Sequence, residues 1–334
     1  MKNSNYTVSV VVPCYNEAGN IPLITAKLLE VLKDYHYEII LVDDGSNDET
    51  LGSCEKINLL NNNIHYIRFS RNFGQQAALL AGIKHSAGDA IITIDADLQQ
   101  PPDLIPEMIE RWLAGAEIVD TIPIHVDSVG WFKKHSSYLF YNVLVKLSNS
   151  PVVKSANDFR LIDRKVADIL KTFPESHLYL REIFSWMGFR HDSIKYRHLK
   201  RVNGESRYAL SKMIRLGLCG ITSMSVKPLR LAVVMGLLVS FTAFIIILWA
   251  LYIALFTDRA IAGWTSTIVS TVFLSGIQLL VLGIMGEYLG KLFMENKRRP
   301  AYIISETDIN LNSNIDRNRE VEESAQKERR FAMT

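Results

Sequence analysis

An α/β domain with a mostly parallel sheet, followed by apolar segments long enough to cross a membrane, is what this sequence predicts. Three observations carry that expectation. Short β-branched or apolar runs alternate with amphipathic helical patterns over residues 1–125. Polar clusters stand where those runs end. Two long stretches nearer the C-terminus carry no charge at all.

The expected strands are Val8–Val12, Glu38–Val42, Ile64–Phe69, Ala90–Ile94 and Glu117–Ile122, with helices such as Ile21–Leu32 and Gln75–His85 between them. Alternation of this kind places helices on both faces of a sheet. Ligands of such folds bind at the carboxyl ends of the strands. Three polar clusters fall there: Pro13-Cys14-Tyr15-Asn16-Glu17, Asp43-Asp44-Gly45-Ser46 and Asp95-Ala96-Asp97.

Leu231–Thr257 and Ala260–Gly286 are charge-free runs of 27 residues each. At about 1.5 Å per residue, either spans a hydrocarbon core of roughly 30 Å with some tilt. Lys227 and Arg230 precede the pair, and Lys291, Lys297, Arg298 and Arg299 follow it. Positive flanks favour the cytosol, so a hairpin with both ends cytosolic is expected. Leu210, Met213, Ile214, Gly217, Leu218 and Ile221 recur at helical spacing with Lys212 and Arg215 opposite, the pattern of an interfacial helix. Residues 131–146 repeat that pattern. The tail after Ile304 is polar and is expected to be disordered.

A net charge of +2 argues against a nucleic-acid partner. The charge is unevenly spread, with ten Lys/Arg against two acids between Arg190 and Arg230. Such a block beside apolar sequence suits a membrane surface or an anionic ligand. Cys14, Cys54 and Cys219 are too few and too scattered for a disulfide framework and fit a reducing compartment. No cleavable signal peptide is visible at the N-terminus.

Alternate residues of an extended segment point the same way, so Asp95 and Asp97 aim at one site. Two close carboxylates repel unless a cation joins them, and Mg²⁺ or Mn²⁺, which also bridges substrate phosphates, resolves that repulsion. A bare Asp-x-Asp is equally a solvated loop; its place after Ile91-Ile92-Thr93-Ile94 favours the metal. Asp43 is a candidate acceptor for a base or ribose, and the same segment also reads as a helix N-cap.

Val12-Pro13-Cys14-Tyr15-Asn16-Glu17, Val42-Asp43-Asp44-Gly45-Ser46, Arg71-Asn72-Phe73-Gly74-Gln75 and Asp95-Ala96-Asp97-Leu98-Gln99 together resemble the family 2 glycosyltransferases of Rossmann-like GT-A fold. Asn157-Asp158-Phe159-Arg160-Leu161, Ser185-Trp186-Met187-Gly188-Phe189, Gly204-Glu205-Ser206-Arg207-Tyr208 and Gly286-Glu287-Tyr288-Leu289-Gly290 narrow the resemblance to the polyprenyl-phosphate group, which includes dolichyl-phosphate mannose synthases and bactoprenol glucosyltransferases.

That resemblance implies a division into a catalytic domain (1–206), an interfacial helix (207–228), transmembrane helices (229–257 and 262–287) and a cytosolic polar tail (288–334). It implies that Pro13, Tyr15, Asn16, Glu17, Asp43 and Asp44 hold the nucleoside of a UDP-sugar, with Arg71, Gly74, Gln75 and Gln99 closing around it. Asp95 and Asp97 would bind the diphosphate through Mg²⁺ or Mn²⁺. The acceptor would be polyprenyl phosphate, the product a polyprenyl-phosphate-linked hexose for cell-envelope glycans such as O-antigen, and the place a bacterial inner membrane. A homo-oligomer is a further candidate partner. Asp97 and Asp158 are the catalytic candidates. For Asp158, base, orienter, or ion pair with Arg160 or Arg164 all remain open. The Arg pair that many members carry after the fifth strand is missing, because this chain reads Thr121-Ile122-Pro123-Ile124-His125-Val126. Lys133, Lys134, Ser137, Arg201 and Ser206 are the remaining acceptor candidates, and the two lysines serve equally as snorkelling anchors at a membrane surface. The rivals are a processive polysaccharide synthase, which needs more spans and a Gln-x-x-Arg-Trp block absent here, and a non-catalytic nucleotide-sugar-binding scaffold.

Overall fold

A computed structural model describes residues 6–124, 157–173, 175, 179–197 and 263–309, together with scattered positions between 229 and 256. The first unit comprises Met1–Ser128, Val152–Arg207 and Pro300–Thr334; the second comprises Val129–Pro151 and Tyr208–Arg299.

The first unit is an α/β domain built on one eight-stranded sheet. Its elements are β1 (Thr7–Cys14), α1 (Ile21–Leu32), β2 (His36–Asp43), α2 (Thr50–Leu60), β3 (Ile64–Phe69), α3 (Gln75–His85), β4 (Ala90–Thr93), α4 (Ile105–Leu113), β5 (Ile118–Ile124), β6 (Arg160–Asp163), α5 (Arg164–Lys171), α6 (Leu180–Trp186), β7 (His191–Arg197) and β8 (Ile304–Thr307). The strands form one sheet in the order β7-β5-β6-β4-β1-β2-β3-β8. Pairs β1–β2, β1–β4, β2–β3 and β5–β7 run parallel. Pairs β3–β8, β4–β6 and β5–β6 run antiparallel.

Central strands covered on both faces need apolar residues at every position, not every second one. Val8, Val10, Val11 and Val12 of β1 and Ile39, Ile40, Leu41 and Val42 of β2 are all fully buried. Helix α1 starts after Asn20 with a proline in its first turn, where a missing N–H costs nothing. It buries Ile21, Ile24, Leu28 and Leu32 at helical spacing. Helix α3 lies close on β1 because Gly82 leaves room for Val11; a Cβ there would overlap the Val11 side chain.

The antiparallel insertion of β6 is what brings a distant segment to the site. Its register pairs Thr93 with Arg160. The residues leading into β6 therefore meet the residues leaving β4, and the Thr93 hydroxyl donates to the Asp158 carbonyl.

Strand β8 lies where a disordered tail is expected from composition. Ile304–Thr307 pairs antiparallel with β3, and the polar side chains that made it look disordered are used: Ser305 Oγ donates to the Arg68 carbonyl at 3.2 Å and Thr307 Oγ1 to the Tyr66 carbonyl at 2.7 Å. An edge strand needs no buried face, which is why its sequence carries no apolar signature.

In the second unit, α7 (Trp264–Asn296) contains Phe273–Asn296, 24 residues with mean hydropathy 1.5, long and apolar enough to cross a membrane. Phe273, Leu279, Leu282, Met285, Leu289 and Phe293 are exposed along it. The first expected span, 229–257, lies largely outside the described residues; its described positions are helical, and Phe241, Phe244, Trp249 and Tyr252 among them are exposed. The expected interfacial helices at 131–146 and 207–228 lie outside the described residues.

Candidate active site

The carboxyl ends of β1, β2 and β4 and the start of β6 meet at one edge of the sheet. At the end of β1 the chain turns through Asn16, a non-glycine residue at φ 56°. Asparagine tolerates this region better than most residues. Ser46 Oγ accepts the Asn16 N–H at 2.9 Å, Thr50 Oγ1 accepts the Glu17 N–H at 2.9 Å, and Asn16 Oδ1 accepts the Asn47 N–H at 3.0 Å. The first two clusters seen in the sequence are thus laced together. Tyr15 stands 42% exposed beside them, an aromatic face open to a base.

Asp43 and Asp44 point to different tasks, as neighbours leaving a strand must. Asp43 is fully buried; its Oδ1 accepts the Ser46 N–H at 3.0 Å. Its Oδ2 has Arg68 Nε at 3.9 Å, an ion pair in distance but too long for a hydrogen bond. Asp44 latches the loop after β3: its two oxygens accept the Phe73 and Gly74 N–H groups at 2.6 and 2.9 Å. Burial pushes the Asp44 carboxyl up despite these donors. The arrangement makes Asp44 an anchor of the loop that follows β3.

Gly45 (φ 67°) completes this packing. A Cβ there would stand 2.8 Å from the Arg71 carbonyl oxygen and closer still to its carbon. Gly45→Ala combines that overlap with a left-handed backbone and is expected to destabilise the domain by about 2–4 kcal/mol, read as a lower midpoint in chemical or thermal unfolding. An unchanged midpoint would contradict the packing described. In the loop itself, the Arg71 guanidinium lies 4.0 Å over the Phe73 ring. Gly74 (φ 100°) stands at the N-cap of α3.

Asp95 and Asp97 leave β4, and the chain folds back through Leu98 at φ 59°. Asp95 is braced on several sides. Gln75 Nε2 donates to Oδ1 at 2.7 Å, and Gln100 Nε2 donates to Oδ2 at 2.6 Å while its Oε1 accepts the Asp95 N–H at 2.8 Å. Asp97 Oδ1 accepts the Gln99 N–H at 3.1 Å. Burial, then the neighbouring charges of Asp158 and Asp97, push the Asp95 carboxyl up to about 7. Among the described residues, no group of three or more His, Cys, Asp or Glu could hold a metal by itself.

Asp158 is 4% exposed and takes neither partner proposed from sequence. Arg160 turns to the Asn157 carbonyl at 3.0 Å and to Asp120 at 3.6 Å, and Arg164 to the Gly88 carbonyl at 2.8 Å. The partner is Arg181 of α6, whose Nε and Nη2 donate to the two Asp158 oxygens at 2.8 and 2.7 Å. Burial raises the Asp158 carboxyl, but this fork outweighs it and holds the group below the usual carboxylate range. Gln76 joins the pair to the fold: its Nε2 lies 3.3 Å from Asp158 Oδ2, and its Oε1 accepts the Leu180 N–H at 3.1 Å. Arg181, Gln76 and Gln100 are the residues sequence reasoning missed. Lys133, Lys134, Ser137, Arg201 and Ser206 lie outside the described residues.

A cluster of carboxylates at strand ends, one carrying a raised affinity for protons and another bound by arginine, suits a cation, through which phosphate groups can be held. Residues 9–184 match the family model described as glycosyl transferase family 2. The chain belongs to glycosyl transferase family 2. This glycosyltransferase is 42% identical over 301 residues to the uncharacterized glycosyltransferase YkcC of Bacillus subtilis (strain 168), covering 90% of this chain and 93% of that one. It is 38% identical to the prophage bactoprenol glucosyl transferase homolog of Escherichia coli (strain K12), over 89% of this chain and 98% of that one. The bactoprenol glucosyl transferase of Shigella phage SfV is also 38% identical, over 89% and 97% of the two chains. Among solved structures, the mannosyltransferase PcManGT from Pyrobaculum calidifontis overlays 66% of this glycosyltransferase and 64% of its own chain at 21% identity, with a TM-score of 0.47.

Proposed function

We propose that this glycosyltransferase moves a hexose, glucose in the first instance, from a UDP-sugar to polyprenyl phosphate (undecaprenyl phosphate in bacteria) at the cytosolic face of a membrane. The observation that carries the reading is the meeting of Asp95, Asp97 and the Asp158–Arg181 pair at one end of the sheet. Relatives named for bactoprenol glucosyl transfer align with this chain along most of their length. The exposed apolar α7 supplies a lipid-facing element for an acceptor whose tail lies in the bilayer.

In this reading Pro13, Tyr15, Asn16, Glu17 and Asp43 hold the uridine, with Tyr15 as the stacking face. A divalent cation, Mg²⁺ or Mn²⁺, would be held by Asp95 and Asp97 and would supply neutralising charge to the departing diphosphate. The residues fit such an ion: mutual repulsion already raises the proton affinity of Asp95, and two carboxylates plus substrate phosphates suit a Mg²⁺ shell.

The acceptor brings its own nucleophile, because a phosphate monoester has its second pKa near about 6 and is largely ionised at neutral pH. Its oxygen attacks the anomeric carbon as the bond from that carbon to the UDP oxygen breaks, inverting the centre. Asp158, held ionised with both oxygens on Arg181, is a poor proton acceptor and acts as an orienter. Arg181 presents the remaining guanidinium surface to anionic groups in the site. Lys133, Lys134, Ser137, Arg201 and Ser206 are proposed to meet the acceptor phosphate.

The reading is tested by incubating the purified full chain with undecaprenyl phosphate, Mn²⁺ and a panel of labelled UDP-sugars. Label in the lipid phase supports it; hydrolysis alone, or no turnover, contradicts it.

The site also predicts a pH dependence. The Asp95 carboxyl titrates at about 7 in the folded chain, against 3.8 for an unperturbed aspartate. Its contribution to stability is therefore fully present below pH 3.8 and is lost as pH rises through about 7. A cation needs the ionised form. Metal-dependent UDP affinity is expected to hold above pH 8 and to fall by up to roughly tenfold per pH unit below 7. Calorimetric titration at pH 6, 7 and 8 measures it, and a flat profile would contradict it.

A further inference from the structure

Strand β8 touches the donor end of the sheet through two routes. The first is aromatic. Tyr302, just before β8, stacks on Phe69 of β3 with ring centroids 5.0 Å apart and planes 10° from parallel. The Phe69 ring in turn meets Phe73 edge-on at 5.7 Å. Phe73 belongs to the loop that Asp44 latches through the Phe73 and Gly74 N–H groups. The backbone repeats the contact, because the Ser70 N–H donates to the Ile303 carbonyl at 3.0 Å. Burial pushes the Tyr302 hydroxyl up to about 12, consistent with a ring seated inside the packing.

The second route is ionic. Register places Glu306 opposite Arg68. The Arg68 guanidinium lies between Glu306 Oε2, 3.6 Å from Nη1, and Asp43 Oδ2, 3.9 Å from Nε. Asp43 is the fully buried carboxylate at the end of β2. The far end of β8 is pinned separately by Asp308, which accepts the Tyr66 N–H at 2.7 Å and Asn58 Nδ2 at 2.8 Å and pairs with His65 Nδ1 at 2.6 Å.

We propose that β8 is part of the donor site, with Tyr302 and Glu306 as positioning residues that hold the Ser70–Gly74 loop and Asp43 in their nucleotide-binding arrangement. This rests on the reading that these strand ends bind a UDP-sugar. It goes beyond that reading by assigning donor affinity to a segment that follows the membrane-length helix in the chain and contains none of the family's donor motifs.

The test uses the full-length protein and separate donor and acceptor titrations. Tyr302→Ala removes the stack. It is expected to raise the donor KM about tenfold, with kcat within about twofold and the acceptor KM unchanged. Tyr302→Phe keeps the ring and is expected to restore the donor KM. Glu306→Gln acts through a half-exposed pair, so a smaller rise of about threefold is expected, with no change in melting temperature beyond that of a surface substitution. Should Tyr302→Ala fail to fold, Tyr302→Leu and Glu306→Gln carry the test. An unchanged donor KM in these variants, or a loss shared equally by kcat and the acceptor KM, would overturn the proposal while leaving the proposed function intact. A wild-type chain that binds no UDP with Mn²⁺ would overturn both.

Discussion

Asp97→Asn is expected to abolish sugar transfer, lowering kcat by about 100- to 1000-fold, the loss typical when one group stabilising transition-state charge is removed. The side chain leaves β4 two residues after Asp95, and its Oδ1 accepts the Gln99 N–H. Asparagine keeps the volume and keeps a carbonyl oxygen for that N–H, so the turn survives. What it loses is the charge that a divalent cation requires. Circular dichroism and the melting temperature should be nearly unchanged, and excess Mn²⁺ should recover little activity. Near wild-type turnover, with metal still required, would remove Asp97 from the site.

Arg181→Ala should have the second large effect, and of a different kind. Asp158 is 4% exposed and its two oxygens are held by the Arg181 fork. Without the guanidinium, a buried carboxylate keeps only Gln76 as a side-chain donor among the described residues. Severing a fully buried pair costs about 3–5 kcal/mol. The Arg181 side chain is 37% exposed, so solvent screens part of the interaction and roughly 2–3 kcal/mol is expected. Transfer should fall by at least about 100-fold, because both the carboxylate proposed to orient substrate and the guanidinium proposed to meet its anionic groups are disturbed. The double variant Asp158→Asn/Arg181→Ala separates the two effects. Removing the stranded charge should recover most of the stability and none of the activity. Full stability and activity in Arg181→Ala alone would show that the pair matters to neither.

The parts of this site legible in the sequence are those written in short local runs. The valines of β1, the apolar run of β2 and the spacing of Ile21, Ile24, Leu28 and Leu32 announce their elements because burial on both faces, or on one stripe, leaves a periodic trace. Helix α7 is legible from the length of its apolar run rather than from a period. The parts not legible are made of contacts between distant segments. Strand β6 is four residues, Arg160-Leu161-Ile162-Asp163, with a charge at each end, and only its pairing with β4 and β5 makes it a strand. Strand β8 is polar and sits at an edge. The Asp158–Arg181 fork joins a strand start to a helix first turn, and neither spacing nor composition favours Arg181 over Arg160 or Arg164. Asp43 and Asp44 look equivalent as a motif; the alternation of side chains at the end of β2 sends one toward Arg68 and the other into the Phe73 loop.

The measurement that tests the central claim most directly is the mass of the lipid product formed from undecaprenyl phosphate and UDP-glucose by the purified chain. Attack of the acceptor oxygen on the anomeric carbon predicts undecaprenyl phosphate plus one hexose, with a single phosphate in the product, UDP as the released nucleotide, and at most a trace of product from Asp97→Asn. A product carrying two phosphates, with UMP released, would mean that the sugar–phosphate bond stays intact and the phosphorus is attacked, and would contradict the account.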